Sequence, residues 1–305
     1  MDVGVIGVGA MGKNHARIYS ELKSVDHFGI CDVNINAAEA IAKQHGATVY
    51  PTIEELLAHV DAVSVCVPTQ FHAGVVRKVF AAKKNVFIEK PICATTAEAR
   101  DLMTAAPEGI TIGVGHIERF NPIVTEIKKI VRKPLYMELK RHNPASARVT
   151  GSSVVEDLMI HDIDIVANVF FPNPCGIHSV GNDDLCSVLM QCGGVPVSLS
   201  ASRKASKKIR LFYVEDEDFT VEGDFMSQEV TIYRKPGQYQ FENERYVQEN
   251  IIEKVMVNKV EPLKVELSTF IDCAKNRMPF PVTPEQAIRN LEVSEQIRAG
   301  FSSGN

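Results

Sequence analysis

The chain has 305 residues, which is long for one small core and makes two domains the expectation. It is 45% hydrophobic and 23% charged with a net charge of −5, so nothing in the composition points to a nucleic-acid or membrane surface. No apolar run approaches the length needed to cross a bilayer.

The first strand signal, Val3, Val5 and Ile6, begins almost at once. It leaves no room for a signal peptide, and a cytoplasmic location is expected. The strand runs into G-x-G-x-x-G at Gly7, Gly9 and Gly12, with Ala10 and Met11 inside the loop, and Lys13 to Leu22 reads as a helix. Asp32 closes a second apolar stretch (Phe28, Ile30, Cys31) twenty residues beyond Gly12. This is the spacing of a dinucleotide-binding βαβ unit. The glycines permit a tight turn and close approach to a pyrophosphate, and the helix start faces the anion. A carboxylate at Asp32 accepts hydrogen bonds from the adenosine ribose hydroxyls and repels a 2′-phosphate. Val33, Asn34 and Ile35 offer no cation to hold that phosphate, so the expected cofactor is NAD rather than NADP.

Strand and helix signals continue to alternate, the mark of a doubly wound α/β sheet of the Rossmann kind. Thr52 and Glu55 form a capping box. Ala62 to Val67 is a buried strand ending at Pro68, Thr69 and His72 come just after it, and a helix follows over Phe71 to Ala82. Asn85 to Ile88 is a strand that delivers Glu89, Lys90 and Pro91 to the carboxyl edge of the sheet, where such sheets bind ligands. Pro91 holds Lys90 extended. Thr95 and Glu98 cap a further helix, and Ile110 to Val114 is a strand. His15 in the first helix reads equally as a packing residue or as a support for the site.

The pattern changes after His116. Asn121-Pro122 starts a helix, with Asn121 as its cap, and Val154 to Phe171 has helical spacing. From Ile177 to Val257 the period is two, with Val197, Leu199 and Ala201 alternating with Ser198, Ser200 and Ser202. The serine face reads as a solvated surface or as the floor of a cleft. Two helices follow, one from Pro262 and one from the capping box Thr283-Pro284-Glu285-Gln286. The expected fold is an N-terminal doubly wound parallel sheet over residues 1–118. A C-terminal α+β domain with an open, mostly antiparallel sheet takes residues 119–305, its closing helix 283–300 packing back on the first domain. The seven cysteines (31, 66, 93, 175, 186, 192, 273) are odd in number and lack a C-x-x-C pair, so they are expected to be reduced.

At 3.6 residues per turn, Asp157, His161 and Asp164 share a helix face. Three readings stand side by side: a histidine oriented by a carboxylate for proton transfer, a metal site, or a solvated polar face.

The segments GVGAMGKNH, PTQFH (Pro68 to His72), EKP and D-x-x-x-H, in this order, resemble the glucose–fructose oxidoreductase / inositol dehydrogenase / MocA family. The resemblance extends through GHIERFNP (Gly115 to Pro122) and the closing EPLKVELSTFIDCAKN…PFPVTPEQA stretch. It implies nicotinamide-dependent oxidation or reduction of a sugar-like alcohol, with Lys90, Asp157 and His161 as the catalytic residues, Thr69 and His72 beside the cofactor crevice, and no metal. Many members have glycine where this chain has Met159, a change that would reshape the pocket. The junction and closing segment are most similar to members that oxidise C3 of UDP-N-acetylglucosamine to a ketone, while free sugars or inositols are the alternative substrates. A nicotinamide-binding regulator without catalysis is a reading of another class, disfavoured by the presence of all three catalytic residues. Candidate substrate contacts are Arg119, Arg141, His142 and Asp164, with Arg148, Arg203 and Lys204 as further cations for a pyrophosphate. The open sheet face suggests a homodimer or homotetramer.

Overall fold

Six apolar runs of two to five residues form a parallel sheet. The strands are β1 (Val3–Ile6), β2 (Phe28–Cys31), β3 (Thr48–Val49), β4 (Ala62–Val65), β5 (Asn85–Glu89) and β6 (Ile112–Gly115). Their order, β3-β2-β1-β4-β5-β6, is that of a doubly wound sheet with its crossover between β1 and β4. The strands read as near-continuous apolar runs because helices cover both faces, and Val3, Val5, Ile30, Val63, Val65, Phe87 and Ile88 are all fully buried. The computed structural model describes residues 1–144, 152–173, 175–235, 240–242, 245–247 and 250–301.

The helices begin where the sequence signals place them. The Thr52 hydroxyl accepts from the Glu55 N–H at 3.2 Å, and Thr95 does the same for Glu98 at 3.2 Å. Asn121 caps Pro122–Ile130 by accepting from the Ile123 N–H at 3.3 Å. Pro284–Phe301 follows Thr283, which accepts from the Gln286 N–H at 3.4 Å.

The chain divides into two units, and the division differs from a single cut after residue 118. One unit is Met1–Ile117 with Glu261–Glu292; the other is Glu118–Val260 with the chain from Val293 onward. Residues 261–292 join the first unit for a specific reason. Phe270 and Phe280 meet the Phe87 ring edge-on, with centroids 5.5 and 5.8 Å away, and Gly113 leaves room for Phe280 beside β6. The closing helix is shared, with its residues to Glu292 in the first unit and those from Val293 in the second.

The second unit holds an eight-stranded sheet of β7 (Pro134–His142), β8 (Gly176–Gly181), β9 (Leu185–Cys192), β10 (Val195–Ser202), β11 (Ile209–Asp216), β12 (Phe219–Asp224), β13 (Glu229–Arg234) and Ile252–Val255. Every pairing is antiparallel except β10 with β7. Met137, Leu139, Val188, Val197, Leu199, Phe212 and Val214 line one face and share a core with Ile123 and Ile127 of Pro122–Ile130 and with Leu158, Ile163 and Val166. Ser198 and Ser200 alternate with these core residues and lie on the other face.

Two expectations need correction. Cys175 and Cys192 form a disulfide, bridging the entry to β8 and the end of β9, whereas Cys31, Cys66, Cys93, Cys186 and Cys273 are free. Residues 154–171 are helical but not uniformly at 3.6 residues per turn. Val155–Met159 and Ile165–Phe170 are wound as π-helix around a short α-helical stretch, Ile160–Asp164. The Ile160 N–H, for example, donates to the Val155 carbonyl five residues back. Among the described residues no helix is long and apolar enough to cross a membrane.

Truncating Phe270 to alanine should cost about 3–5 kcal/mol, the range for a buried aromatic. The check is the urea midpoint of Phe270→Ala against the unmodified chain. An unchanged midpoint would mean that the closing segment does not belong to the core of the first unit.

Candidate active site

In the first unit, chain direction concentrates the chemistry. All six strands point the same way, so the ends of β1, β2, β4 and β5 deliver Gly7, Asp32, Cys66 and Lys90 to one edge. A cavity of about 740 Å³ opens there, lined by Gly7, Gly9, Asp32, Pro68, Thr69 and Lys90 among others. Ala10, Met11, His72 and Glu89 also line it.

Gly7 has φ +89°, a conformation that favours glycine, and a side chain on it would press against the Val67 backbone. A methyl on Gly12 would collide with the Gly7 carbonyl oxygen, so this glycine lets the helix Gly12–Glu21 close on the turn. A methyl on Gly9 would meet nothing within 4 Å, so the middle of the loop faces open space. Asp32 is held beside it, its carboxylate accepting from the Val8 N–H at 2.6 Å and the Asn34 N–H at 2.8 Å. An open backbone cradle, a helix start and a fixed carboxylate fit the pyrophosphate and ribose of a dinucleotide.

The other end of the cavity is built on β5. Glu89 is buried, and one of its oxygens lies 2.8 Å from His15 Nε2 while the other accepts from the Lys90 N–H at 3.2 Å. His15, fully buried, is therefore a support for the site as well as a packing residue. Burial pushes the Glu89 carboxyl up, but the His15 hydrogen bond and the charges of His15 and Lys90 outweigh it and hold the group below its ordinary range. His72 is also buried, with Nδ1 2.9 Å from the Pro91 carbonyl and Nε2 2.9 Å from the Val67 carbonyl. Burial lowers its pKa against those carbonyls. It ties the turn after β5, where the Lys90–Pro91 peptide is cis, to the end of β4.

In the second unit the helical stretch after Ser153 carries Asp157 and His161. Asp157 is half-buried and His161 is 9% exposed. Asp164 does not present a free carboxylate beside them. It takes a two-point contact from Arg119, Nε at 2.8 Å and a terminal nitrogen at 2.5 Å, and accepts from Asn168 at 3.0 Å. Met159 is fully buried in the core of the unit.

Arg141 does not stand open to solvent. It is fully buried, with Nε and one terminal nitrogen on Asp162 at 3.0 and 2.7 Å and the other terminal nitrogen on Glu118 at 2.6 Å. Burial opposes its charge, yet Asp162 and Glu118 prevail and raise its pKa. This clamp fixes the residue next to His161 onto the central strand β7. His142, one position on, lies on the opposite face and contacts Ser200 at 2.8 Å. Arg203 contacts the Ser152 carbonyl at 2.5 Å and Asp184, and Lys204 pairs with Asp184 at 3.0 Å. Arg148 lies outside the described residues. Residue types and spacing had not marked Glu118, Asp162 or Arg210, which cluster around Arg141. Among the described residues, no group of three or more His, Cys, Asp or Glu side chains is arranged to hold a metal ion.

Comparison with known proteins gives these features a context. The model of an oxidoreductase family with an NAD-binding Rossmann fold, the glucose–fructose oxidoreductase / inositol dehydrogenase / MocA family, matches residues 1–116. The UDP-N-acetylglucosamine 3-dehydrogenase of Acidithiobacillus ferrooxidans is 31% identical over 247 residues, 77% of each chain. An inositol 2-dehydrogenase of Cereibacter sphaeroides is 31% identical over 209 residues, 62% of this chain and 63% of that one. The solved structure of the Acidithiobacillus ferrooxidans enzyme aligns at a TM-score of 0.89 with 27% identity, covering 99% of this chain and 98% of that one.

Two outcomes test the cavity. Gly9→Ala should leave the melting curve within about 0.5 kcal/mol of the parent while weakening dinucleotide binding, because only open space meets the methyl. Gly12→Ala should lower stability by about 1–3 kcal/mol through overpacking. Calorimetric melting together with a binding titration separates the two, and equal effects on both readouts would refute the assignment. The second outcome concerns pH. A carboxyl whose folded pKa lies below its ordinary 4.5 stabilises the fold above that value and loses the contribution as pH falls through the lowered one. The melting temperature of Glu89→Gln should therefore fall less steeply on acidification than that of the parent chain.

Proposed function

The chain belongs to the glucose–fructose oxidoreductase / inositol dehydrogenase / MocA family of oxidoreductases, and from that footing we propose that it oxidises C3 of UDP-N-acetylglucosamine to the ketone with NAD as acceptor. The observation that carries this reading is the likeness to the Acidithiobacillus ferrooxidans enzyme, which extends over 77% of both sequences. The choice of NAD rests on Asp32. Its carboxylate is pinned at the end of β2 by two backbone N–H groups, where it meets a ribose diol well and a 2′-phosphate badly. The glycine loop and Asp32 would hold the dinucleotide, which would supply the hydride acceptor for oxidation of the sugar carbon.

The chain's own residues handle the proton and the charge. His161 takes the proton from the reacting hydroxyl, the role suited to an imidazole near neutral pH. Asp157, one turn earlier, orients that ring. The Lys90 ammonium hydrogen-bonds the same substrate oxygen and stabilises the negative charge that develops as the carbon–hydrogen bond breaks. Glu89 and His72 hold the turn that presents Lys90.

A second reading, oxidation of a free inositol, is favoured by the Cereibacter sphaeroides inositol 2-dehydrogenase, which reaches the same 31% identity over a shorter stretch of 209 residues.

The discriminating experiment follows NADH absorbance with UDP-N-acetylglucosamine, N-acetylglucosamine and myo-inositol in parallel. Turnover should appear with the nucleotide sugar. Lys90→Ala and His161→Ala should each cut kcat by about a hundredfold or more while NAD affinity stays within a few-fold. Full turnover in both variants would remove these residues from the mechanism, and turnover with myo-inositol alone would replace the substrate.

A further inference from the structure

We propose that Arg210 and Lys208 form a cationic subsite in the second unit that receives the phosphate groups of an anionic substrate, with the Arg210 guanidinium as its fixed donor. The proposal deepens the nucleotide-sugar reading by naming the residues that recognise the diphosphate.

Strand register creates the subsite. Arg210 on β11 stands directly opposite Arg141 on β7, and like charges in that relation repel. Glu118 offsets the repulsion unequally. Its Oε1 accepts from Arg141 at 2.6 Å but lies 3.5 Å from Arg210, and its Oε2 is engaged by Asn121 at 3.1 Å. Arg141 is saturated by Asp162 and Glu118. Arg210 is not: its only other contact among the described residues is Asn143 Oδ1 at 3.4 Å, and its Nε is buried without a hydrogen-bond partner there. Both of its contacts are near the outer limit for a hydrogen bond. A guanidinium has five N–H donors in a planar fork that matches phosphate oxygens, and this one keeps 17% of its side chain exposed.

Lys208 adds a second charge. It is exposed and has neither ion-pair nor hydrogen-bond partner among the described residues. Partial burial lowers its pKa, and the charges of Arg210 and Arg141 lower it further than Glu118 restores it. Burial and Arg141 likewise lower the pKa of Arg210 against the pull of Glu118, Asp162 and Asp157. Arg210 holds its two partners only at 3.5 and 3.4 Å, and both cations would be stabilised by a phosphate. Arg210 pairs in register with Arg141, whose partner Asp162 follows His161 in sequence. A neutral inositol would leave these cations without an anion, whereas a diphosphate ester supplies it.

The test titrates the full chain with UDP, and separately with N-acetylglucosamine, by calorimetry. Arg210→Ala should weaken UDP binding about tenfold to a hundredfold, the scale of a charge-assisted hydrogen-bonded contact, without changing the affinity for N-acetylglucosamine. Arg210→Lys should recover part of the loss. Lys208→Ala, at an exposed position that the fold does not need, should weaken UDP binding several-fold and make it less salt-sensitive. Unchanged UDP affinity in both alanine variants would overturn the subsite, as would an absence of UDP binding by the parent chain. An equal loss for UDP and the neutral sugar would also overturn it, because Arg210 would then act only through the fold. If the parent chain binds UDP through Arg210 yet oxidises only uncharged sugars, the subsite stands and the nucleotide-sugar substrate falls.

Discussion

Parallel strand direction is the constraint on which the first unit depends. A parallel sheet cannot be made from tight hairpins, so each strand must be followed by a crossover that returns the chain to the same starting edge. The carboxyl ends therefore collect on one side, and residues far apart in sequence become neighbours at a cavity. The glycine loop after β1, Asp32 after β2 and Lys90 after β5 need no long-range recognition to meet. Their positions follow from strand order and handedness. What the side chains add is fixation. Asp32 is locked by two N–H groups, Glu89 by His15 and the Lys90 N–H, and the turn bearing Lys90 by His72.

The second unit meets a different difficulty, because its core contains charge. Arg141 lies at the centre of the sheet with no exposure, and an unpaired guanidinium there would cost several kcal/mol of desolvation. Two carboxylates from different parts of the chain converge on it, Asp162 from the segment after Ser153 and Glu118 from the entry to the unit. Asp162, itself buried, would lose its charge partner without the arginine. The placement of the helical stretch that carries His161 is consequently tied to a strand by charge as well as by Leu158 and Ile163. The π-helical turns on both sides of Ile160–Asp164 widen the helix there and change which side chains share a face.

Features defined by a few neighbouring residues were legible in the sequence. The G-x-G-x-x-G loop, the capping boxes at Thr52 and Thr95, the Asn121 cap and the alternation through Val197, Leu199 and Ala201 each depend on spacings shorter than a strand or a helical turn or two. Features that depend on register or distant packing were not legible. Arg141 looks like any strand-end cation until β7 is laid against β11 and the segment after Ser153 is docked. The link between Phe87 and Phe270 joins distant parts of the chain, so the helix from Pro262 could not be assigned to the first unit by local pattern. The Cys175–Cys192 disulfide lacks a spacing signature, and the helical period of 3.6 used for Asp157, His161 and Asp164 fails where the backbone winds more widely.

The chain's treatment of phosphate brings these points together, because net charge says little about it. An overall charge of −5 would suggest general repulsion of anions. Local placement sets fixed charges of opposite sign at two places. At the end of β2 the Asp32 carboxylate is fixed by two backbone N–H groups, which sets a negative charge beside the glycine loop. In the second unit an arginine forced opposite another arginine is left with unused donors, because the available carboxylates are consumed by its buried neighbour. The two placements have the same cause: a charged group whose position is set by backbone register, and whose remaining hydrogen-bonding capacity is set by what the fold has already paired with it.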